Sequence, residues 1–291
     1  MRVADLDIAN IADRLPPRPL TRFAPAPTGW LHLGHVLNAE HVWGIAAALG
    51  GRVLLRIEDH DRGRSRPAYE SAILDDLDWL GYRPDIHPTS DFRSGPCAGR
   101  QSDREAVYRD AMEILAGRGL VYGCDCSRRS ATTAGAMELH YAGRCRDRRL
   151  PFGPGVGLRL RVEPQSMTFE DARVGTERQD PASQCGDLLL RDRHGNWTYQ
   201  FAVAVDDWRQ GIDLVIRGMD LLPSTGRQLL IARLLGRERL PVFCHHALIM
   251  KSPGQKLSKS DGDTGVRDFR ARGWTADAVR RAAWQALAGT A

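Results

Sequence analysis

One stretch constrains the fold more than any other, Arg22-Phe-Ala-Pro-Ala-Pro-Thr-Gly-Trp-Leu-His-Leu-Gly-His35. A short apolar strand (Phe23, Ala24) passes through a turn marked by Pro25, Pro27 and Gly29 into a helix carrying Val36, Leu37, Ala39, Val42, Trp43, Ile45 and Ala46, which Gly50-Gly51 can end. The spacing starts that helix near His32. His32 and His35 then share a face of its first turn, where unpaired backbone N–H groups and the positive end of the helix dipole attract phosphate. Gly34 lets a flat ring approach the backbone between them.

A second stretch answers the first. Every lysine of the chain, Lys251, Lys256 and Lys259, falls within Lys251-Ser-Pro-Gly-Gln-Lys-Leu-Ser-Lys-Ser260, and every other strongly basic residue is Arg. Compact ammonium groups on a Gly/Ser/Pro loop suit a triphosphate or a departing pyrophosphate. Together, Pro-x-Pro-Thr-Gly-x-Leu-His-Leu-Gly-His and Lys-Leu-Ser-Lys-Ser resemble the two signatures of the class I aminoacyl-tRNA synthetases, in order, context and separation. The resemblance implies that His32, His35, Lys256 and Lys259 stabilise ATP phosphates, with Gly34 beside the nucleotide, while an amino-acid carboxylate attacks the α-phosphate. Mg²⁺ is expected with the ATP.

Composition bounds the setting. A chain of 291 residues with 42% hydrophobic and 26% charged residues buries a sizeable core. No apolar run approaches bilayer length and the N-terminus lacks an apolar signal core, so the expectation is a cytoplasmic protein with no membrane contact, by default a monomer. A net charge of +5 favours a polyanionic partner. Six cysteines in that setting point to metal or free thiols before disulfides.

Along the chain, residues 1–20 form an N-terminal extension. Arg52-Val-Leu-Leu-Arg-Ile-Glu-Asp59 is a buried strand ending in charge, and strand, helix, strand implies a parallel sheet with ligands at the carboxyl ends of its strands. Glu58 sits at such an end, placed to receive an ammonium group. Residues 66–80 form an amphipathic helix closed by Gly81, and Ser102 is positioned to cap the next one, running to Gly117. Residues 146–186 are punctuated by Arg, Gly and Pro, the composition of a small insertion able to approach RNA. The sheet is expected to resume at Asp187–Arg193 and to continue through the apolar run Trp197–Asp207, with Tyr199 at its start, to a buried strand Asp213–Asp220 that delivers Arg217. A dicarboxylic amino acid calls for two guanidinium forks, and Arg22 and Arg217 at separate strand ends supply them.

Cys124-Asp-Cys126 followed by Cys145 is a thiolate set for tetrahedral Zn²⁺. The residues leave the fourth ligand open. His140 is the chemical first choice, whereas the glutamyl-queuosine tRNA(Asp) synthetases resemble this stretch with a Cys-x-Cys…Tyr-x-x-x-Cys pattern, which implies Tyr141. Cys97, Cys185 and Cys244 have no spaced partners and are expected to be structural.

The resemblance narrows to the glutamyl branch on Arg22-Phe-Ala-Pro-x-Pro-Thr-Gly, Arg56-Ile-Glu-Asp59, Tyr199-Gln-Phe-Ala-Val, Asp206-Asp207 and Arg217-Gly-x-Asp220-Leu-Leu-x-Ser-Thr. It implies a glutamate site made from Arg22, Phe23, Ala24, Pro25, Ala26, Glu58, Tyr199 and Arg217. Many relatives carry Ser where this chain has Ala26, so only a backbone contact is expected there. The implied fold is α/β, a Rossmann-like parallel-sheet catalytic domain in two halves (21–100 and 187–245) around an insertion bearing zinc (101–186), with a short helical part holding the lysine loop (246–291). After that loop only Asp261–Ala291 follow, too few residues for the anticodon-binding domain of a complete glutamyl-tRNA synthetase. The expectation is therefore a glutamyl-queuosine type of ligase, which makes glutamyl-adenylate without RNA and transfers glutamate to queuosine in tRNA(Asp). The alternatives are a minimal synthetase charging a tRNA 3′ end and an inactive RNA-binding paralogue.

Overall fold

The structure is a computed structural model describing residues 8–127, 140–252, 255–256 and 265–289, with the side chains of 251, 252, 255 and 256 outside the description. In chain order the helices are α1 (Ile8–Ala12), α2 (Leu33–Ala48), α3 (Pro67–Leu80), α4 (Thr89–Arg93), α5 (Glu105–Gly117), α6 (Pro181–Cys185), α7 (Tyr199–Arg209), α8 (Thr225–Leu234), α9 (Val266–Ala271) and α10 (Ala276–Ala288). The strands are β1 (Leu20–Phe23), β2 (Arg52–Leu55), β3 (Val121–Cys124), β4 (Gly157–Leu160), β5 (Met167–Asp171), β6 (Gly175–Gln179), β7 (Leu188–Arg191), β8 (Leu214–Gly218), β9 (Val242–His246), β10 (Met250–Ser252) and β11 (Gln255–Lys256).

β1 and β2 pair in parallel, Leu20 against Arg52 through Phe23 against Leu55, with α2 as the crossover. β8 and β9 also pair in parallel. The two pairs meet where the Asp213 N–H donates to the Leu20 carbonyl (2.8 Å) and the Leu20 N–H donates to the Asp213 carboxylate (2.9 Å). Strand alternation sorts the core. Val53, Leu55, Leu214, Ile216 and Cys244 pack with α2, α3, α9 and α10, while Leu54, Val215 and Phe243 pack with α5, α7 and α8. Helices thus cover both faces, as a parallel sheet requires.

Several expectations change. The apolar run at Trp197–Asp207 is helix α7, buried nearly all round, so it carries no amphipathic stripe to separate it from a strand. Ser102 is not a cap: its N–H donates to Asp59 (2.8 Å) inside a 3-10 turn, Gln101–Arg104, and α5 starts from Arg104 without a side-chain cap. β7 does not rejoin the parallel sheet, because it pairs with β4 in a three-stranded antiparallel sheet with β3. Conversely β5, expected within the insertion, meets β9 in parallel at Asp171 and Phe243, with β6 antiparallel at the edge. Strand pairing therefore crosses the boundary placed at residue 186. Residues 1–7 of the N-terminal extension lie outside the described residues, and α1 lays Ile11 into a buried position.

α10 packs along α2. Val279, Ala283 and Leu287 recur at helical spacing on its buried face, and the Trp284 indole N–H donates to Glu40 (3.1 Å). No described helix is long and apolar enough to cross a membrane.

Candidate active site

The histidine turn folds as its spacing dictates. His32 is the N-cap of α2: its Nδ1 accepts the Gly34 N–H (3.1 Å), and His35 Nδ1 accepts the His32 N–H (3.1 Å), a reciprocal capping box made of imidazoles. Each Nδ1 is an acceptor, so each neutral ring carries its proton on Nε2. The rings lie 3.9 Å apart between centroids. Gly34 has a steric reason to be glycine, since a Cβ there would lie 2.9 Å from His32 Cε1. The ring that approaches its backbone is His32 itself.

The lysine stretch enters through the antiparallel pair β10 and β11, which holds the backbones of Lys251 and Lys256. Lys259 lies outside the described residues, as does the Lys256 side chain. Where description resumes, Gly265 bridges His32 and the Val266 N–H donates to the Leu31 carbonyl (2.7 Å). The C-terminal base of the lysine segment is thus stitched to the start of the histidine helix. Arg267 lies 4.2 Å over the Trp30 ring in the same seam.

Behind the turn, charges converge from β1, β2, α7 and β8. Arg22 Nε donates to Asp207 Oδ1 (3.1 Å) and its Nη1 to the Ile216 carbonyl (3.3 Å). Arg56, fully buried, donates to the same Asp207 oxygen (2.8 Å), to Glu58 Oε1 (3.0 Å) and to Gln210 (3.0 Å). Burial alone would raise the Asp207 carboxyl, but Arg22 and Arg56 outweigh it and hold it well below the usual carboxylate range. Asp206, its neighbour on α7, lies 3.8 Å from Arg56 Nε and accepts from Gln101 (2.8 Å), Arg104 (2.8 Å) and the Tyr108 hydroxyl (2.9 Å).

Arg217 is different. It is 3% exposed and donates to His245 Nε2 (2.9 Å), Gln228 Oε1 (2.7 Å), Thr225 Oγ1 (2.8 Å) and the Leu221 carbonyl (3.3 Å). Among the described residues no carboxylate forms an ion pair with it. Burial pulls its pKa down, with Arg22 adding to the effect and Tyr199, Asp207 and Glu58 opposing it. Because Arg217 donates to His245 Nε2, the His245 proton sits on Nδ1 and is given to Asp171 (2.6 Å), so a neutral imidazole and a carboxylate stand behind the guanidinium. The Tyr199 hydroxyl is pushed up to about 12 by burial and then by Glu58, with Arg217 and Arg22 opposing. Tyr199 and Arg217 thus each feel the charges of Arg22 and Glu58.

The other expected contacts divide between backbone and side chain. Phe23 is buried in the core and its carbonyl accepts the Arg56 N–H (3.0 Å). The Pro25 carbonyl takes the Glu58 N–H (3.1 Å) and the Ala26 carbonyl the Thr28 N–H (2.9 Å), so the backbone on either side of Ala24 is held beside the segment carrying Arg56 and Glu58. Tyr199 also lines a cavity of about 800 Å³ with Thr198, Arg227, Arg193, Arg159 and Cys124. On its far wall, Cys126 Sγ and Cys145 Sγ are 3.5 Å apart, and the three sulfurs of Cys124, Cys126 and Cys145 lie within 4.8 Å of one another. Four ligands around a tetrahedral zinc with ~2.3 Å bonds sit about 3.8 Å apart, so the set fits such a cation. The Tyr141 hydroxyl lies 3.5 Å from Cys124 and 3.9 Å from Cys126. His140 turns away, its Nε2 against the Ala182 carbonyl at 3.2 Å. Burial alone would raise the Cys124 thiol, but hydrogen bonds with Tyr141 and with Arg159 Nε (3.4 Å) pull it below its ordinary value, and Arg148 approaches Cys145 Sγ (3.4 Å).

The family described as tRNA synthetases class I (E and Q), catalytic domain, matches residues 20–288. The chain belongs to this family. The synthetase is 39% identical to a protein of Rhodobacter capsulatus named glutamyl-Q tRNA(Asp) synthetase, over 90% of this chain and 98% of the relative. It is 38% identical to glutamate–tRNA ligase 2 of Syntrophus aciditrophicus, over 90% of this chain and 56% of that ligase. Among solved structures, a glutamate tRNA ligase from Elizabethkingia meningosepticum, in complex with its amino acid, superposes with a TM-score of 0.69 at 28% identity, covering 88% of this chain and 53% of that one. The synthetase is a ligase of α/β class I architecture with a parallel sheet.

Sequence reasoning missed Asp171, His245, Gln228 and Thr225 around Arg217, and Gln101, Arg104 and Tyr108 around Asp206. The first group joins segments far apart in the chain, with 74 positions between Asp171 and His245. Only the pairing of buried polar types on apolar strands hints at it.

Proposed function

We propose that this chain activates L-glutamate with ATP, without RNA, and transfers the glutamyl group to queuosine at the wobble position of tRNA(Asp). The observation that carries the reading is Arg217, a buried guanidinium that pairs with no carboxylate among the described residues, close to the charges of Arg22 and Tyr199. A dicarboxylic substrate completes that charge balance, since planar forks take carboxylates bidentately. Glu58 receives the substrate ammonium, and the backbone from Phe23 to Ala26 lies alongside the substrate.

In the first half-reaction a glutamate α-carboxylate oxygen bonds to the ATP α-phosphorus, and the bond to pyrophosphate breaks. His32 and His35 donate Nε2–H to the phosphates beside Gly34, reinforced by the N-terminal end of α2. Lys256 and Lys259 stabilise the departing pyrophosphate, which leaves with the Mg²⁺ that accompanies ATP. Catalysis is positioning and charge stabilisation. In the second half-reaction a hydroxyl of the queuosine cyclopentene-diol attacks the glutamyl carbonyl carbon, AMP leaves and the hydroxyl proton is released. The cavity between Tyr199 and the cysteine cluster has the volume for a nucleoside. Cys124, Cys126, Tyr141 and Cys145 would hold one structural Zn²⁺ that fixes β3 against the segment carrying Tyr141. A cytoplasmic monomer fits this reading.

Pyrophosphate exchange into ATP tests it: exchange that needs glutamate but not RNA is expected, and its absence in folded protein overturns the reading. Lys259→Ala is expected to abolish exchange while leaving glutamate binding nearly intact; equal loss of both would show that the lysine is misassigned. Similarity to glutamate–tRNA ligase 2 supports a second acceptor, the tRNA 3′ end. Mass spectrometry of the RNA product separates the two, because glutamate confined to the terminal adenosine would replace queuosine as acceptor.

A further inference from the structure

We propose that His87, Asp91 and Cys97 form a second cation site, separate from the cysteine cluster, that binds a divalent transition metal such as Zn²⁺ or Co²⁺. An imidazole nitrogen, a carboxylate oxygen and a sulfur come within 4.8 Å of one another there, with His87 Nδ1 4.0 Å from Asp91 Oδ2. A mixed N, O, S set suits borderline cations and not Mg²⁺ or Ca²⁺, which take oxygen ligands. Donors around a tetrahedral ion with bonds of ~2.0–2.3 Å stand about 3.3–3.6 Å apart in a mixed N, O, S set, so binding draws the three together by at most roughly 1.5 Å. Asp91, with its side chain 46% exposed, is the arm able to make that movement.

The loop is built to hold these donors inward. His87 has a left-handed backbone, φ 54°, which non-glycine residues adopt uncommonly. The Cys97 N–H donates to Asp103 (2.9 Å), and the Gly99 N–H donates to Cys97 Sγ (3.3 Å). A Cβ on Gly99 would lie 2.6 Å from Phe92 Cζ and 3.1 Å from His87 Cβ, so glycine there is what lets the Cys97 turn fold onto His87. Cys97 is buried at the floor of the site, while the half-buried His87 and exposed Asp91 leave a route from solvent. Three protein donors leave a fourth position for water, the pattern of an open and exchangeable site.

The site backs onto the charge network of the active centre. The Gly99 carbonyl accepts the Ile57 N–H (2.9 Å), and the Ala98 carbonyl accepts from Arg104 (3.2 Å) and from Gln210 (3.3 Å), whose Oε1 receives Arg56. An ion joining residue 87 to residue 97 would stiffen the loop that supports Arg56, and through it Glu58.

Cobalt titration of the metal-stripped, full-length protein tests the site, with bound metal measured after gel filtration and thiolate-to-cobalt absorption recorded. His87→Asn, chosen because Asn tolerates a positive φ, and Cys97→Ser are each expected to bind one equivalent fewer than the unaltered protein, with Cys97→Ser losing part of the absorption. Asp91→Asn, exposed and safe for folding, is expected to weaken that equivalent at least tenfold. Unchanged cobalt equivalents and affinities in variants with unaltered melting would overturn the proposal. The readout is a difference between proteins and needs neither ATP nor glutamate, so it stands apart from the fate of the Cys124 cluster and of the ligase reading.

Discussion

Arg22 and Arg217 sit on β1 and β8, both buried, and they are held in opposite ways. Arg22 shares Asp207 with Arg56, which also donates to Glu58, so two guanidinium ions face two carboxylates in one compact group. Arg217 is held by an imidazole nitrogen, an amide, a hydroxyl and a carbonyl, all neutral. The first arrangement is complete without a ligand and stabilises the fold. The second holds a positive charge out of water with no carboxylate in direct contact among the described residues, an arrangement that costs several kcal/mol and is expected where a ligand brings a direct counter-charge.

The largest effect expected from this contrast comes at Asp207. Asp207→Ala leaves Arg22 and Arg56 buried without their shared carboxylate and is expected to lower stability by about 3–5 kcal/mol in urea unfolding. A loss below about 1 kcal/mol would erase the distinction between the two arginines.

Acid should then take the two regions apart in different windows. Burial holds the His245 pKa below its ordinary value, so the folded state keeps it neutral while the unfolded chain takes up a proton below about pH 6.5. The stability it provides is present above that pH and is lost as pH falls toward the folded value. Buried His41 and His246, pushed down to about 2 and about 4, add to the same slope. Asp207 is also depressed, but its unfolded value is near 3.9, so its contribution fades only below about pH 4. Stability across pH, from thermal melts, is expected to flatten from about pH 6.5 downward in His245→Gln, by up to ~1.4 kcal/mol per pH unit. Asp207→Asn should change the slope only below about pH 4, and a reversed order would contradict the assignment.

The smallest effect on stability is expected at Arg217 itself. Arg217→Met removes a buried charge that pairs directly with no carboxylate among the described residues, so its melting temperature should equal or exceed that of the unaltered protein. A loss beyond about 2 kcal/mol would show that the neutral acceptors hold the fold together through this residue.

Sequence alone carried much of one region and little of the other. The histidine turn was legible because its parts are local: three-residue spacing, a glycine between the rings, and apolar helical periodicity after them. The parallel pair β1 and β2 followed from strand, helix, strand. Which of Tyr141 and His140 faces the sulfurs was not legible, since the two are neighbours in the chain and only the fold turns the phenol toward them. Helix α7 was hidden because a helix buried nearly all round looks like a buried strand. Asp171, which props His245 behind Arg217, was hidden because β5 leaves the segment assigned to the insertion and joins β9. Cys97 looked partnerless because His87 and Asp91 stand before it at spacings no common metal motif uses.

The central claim is that Arg217 holds its charge for a substrate carboxylate. Calorimetric titration of L-glutamate into the unaltered protein and into Arg217→Met tests it directly. The account predicts a loss of at least about 100-fold in affinity, in keeping with the 2–5 kcal/mol lost when one partner of a buried charge pair is removed, in a variant that melts no earlier. Glutamate affinity unchanged in that variant would contradict it.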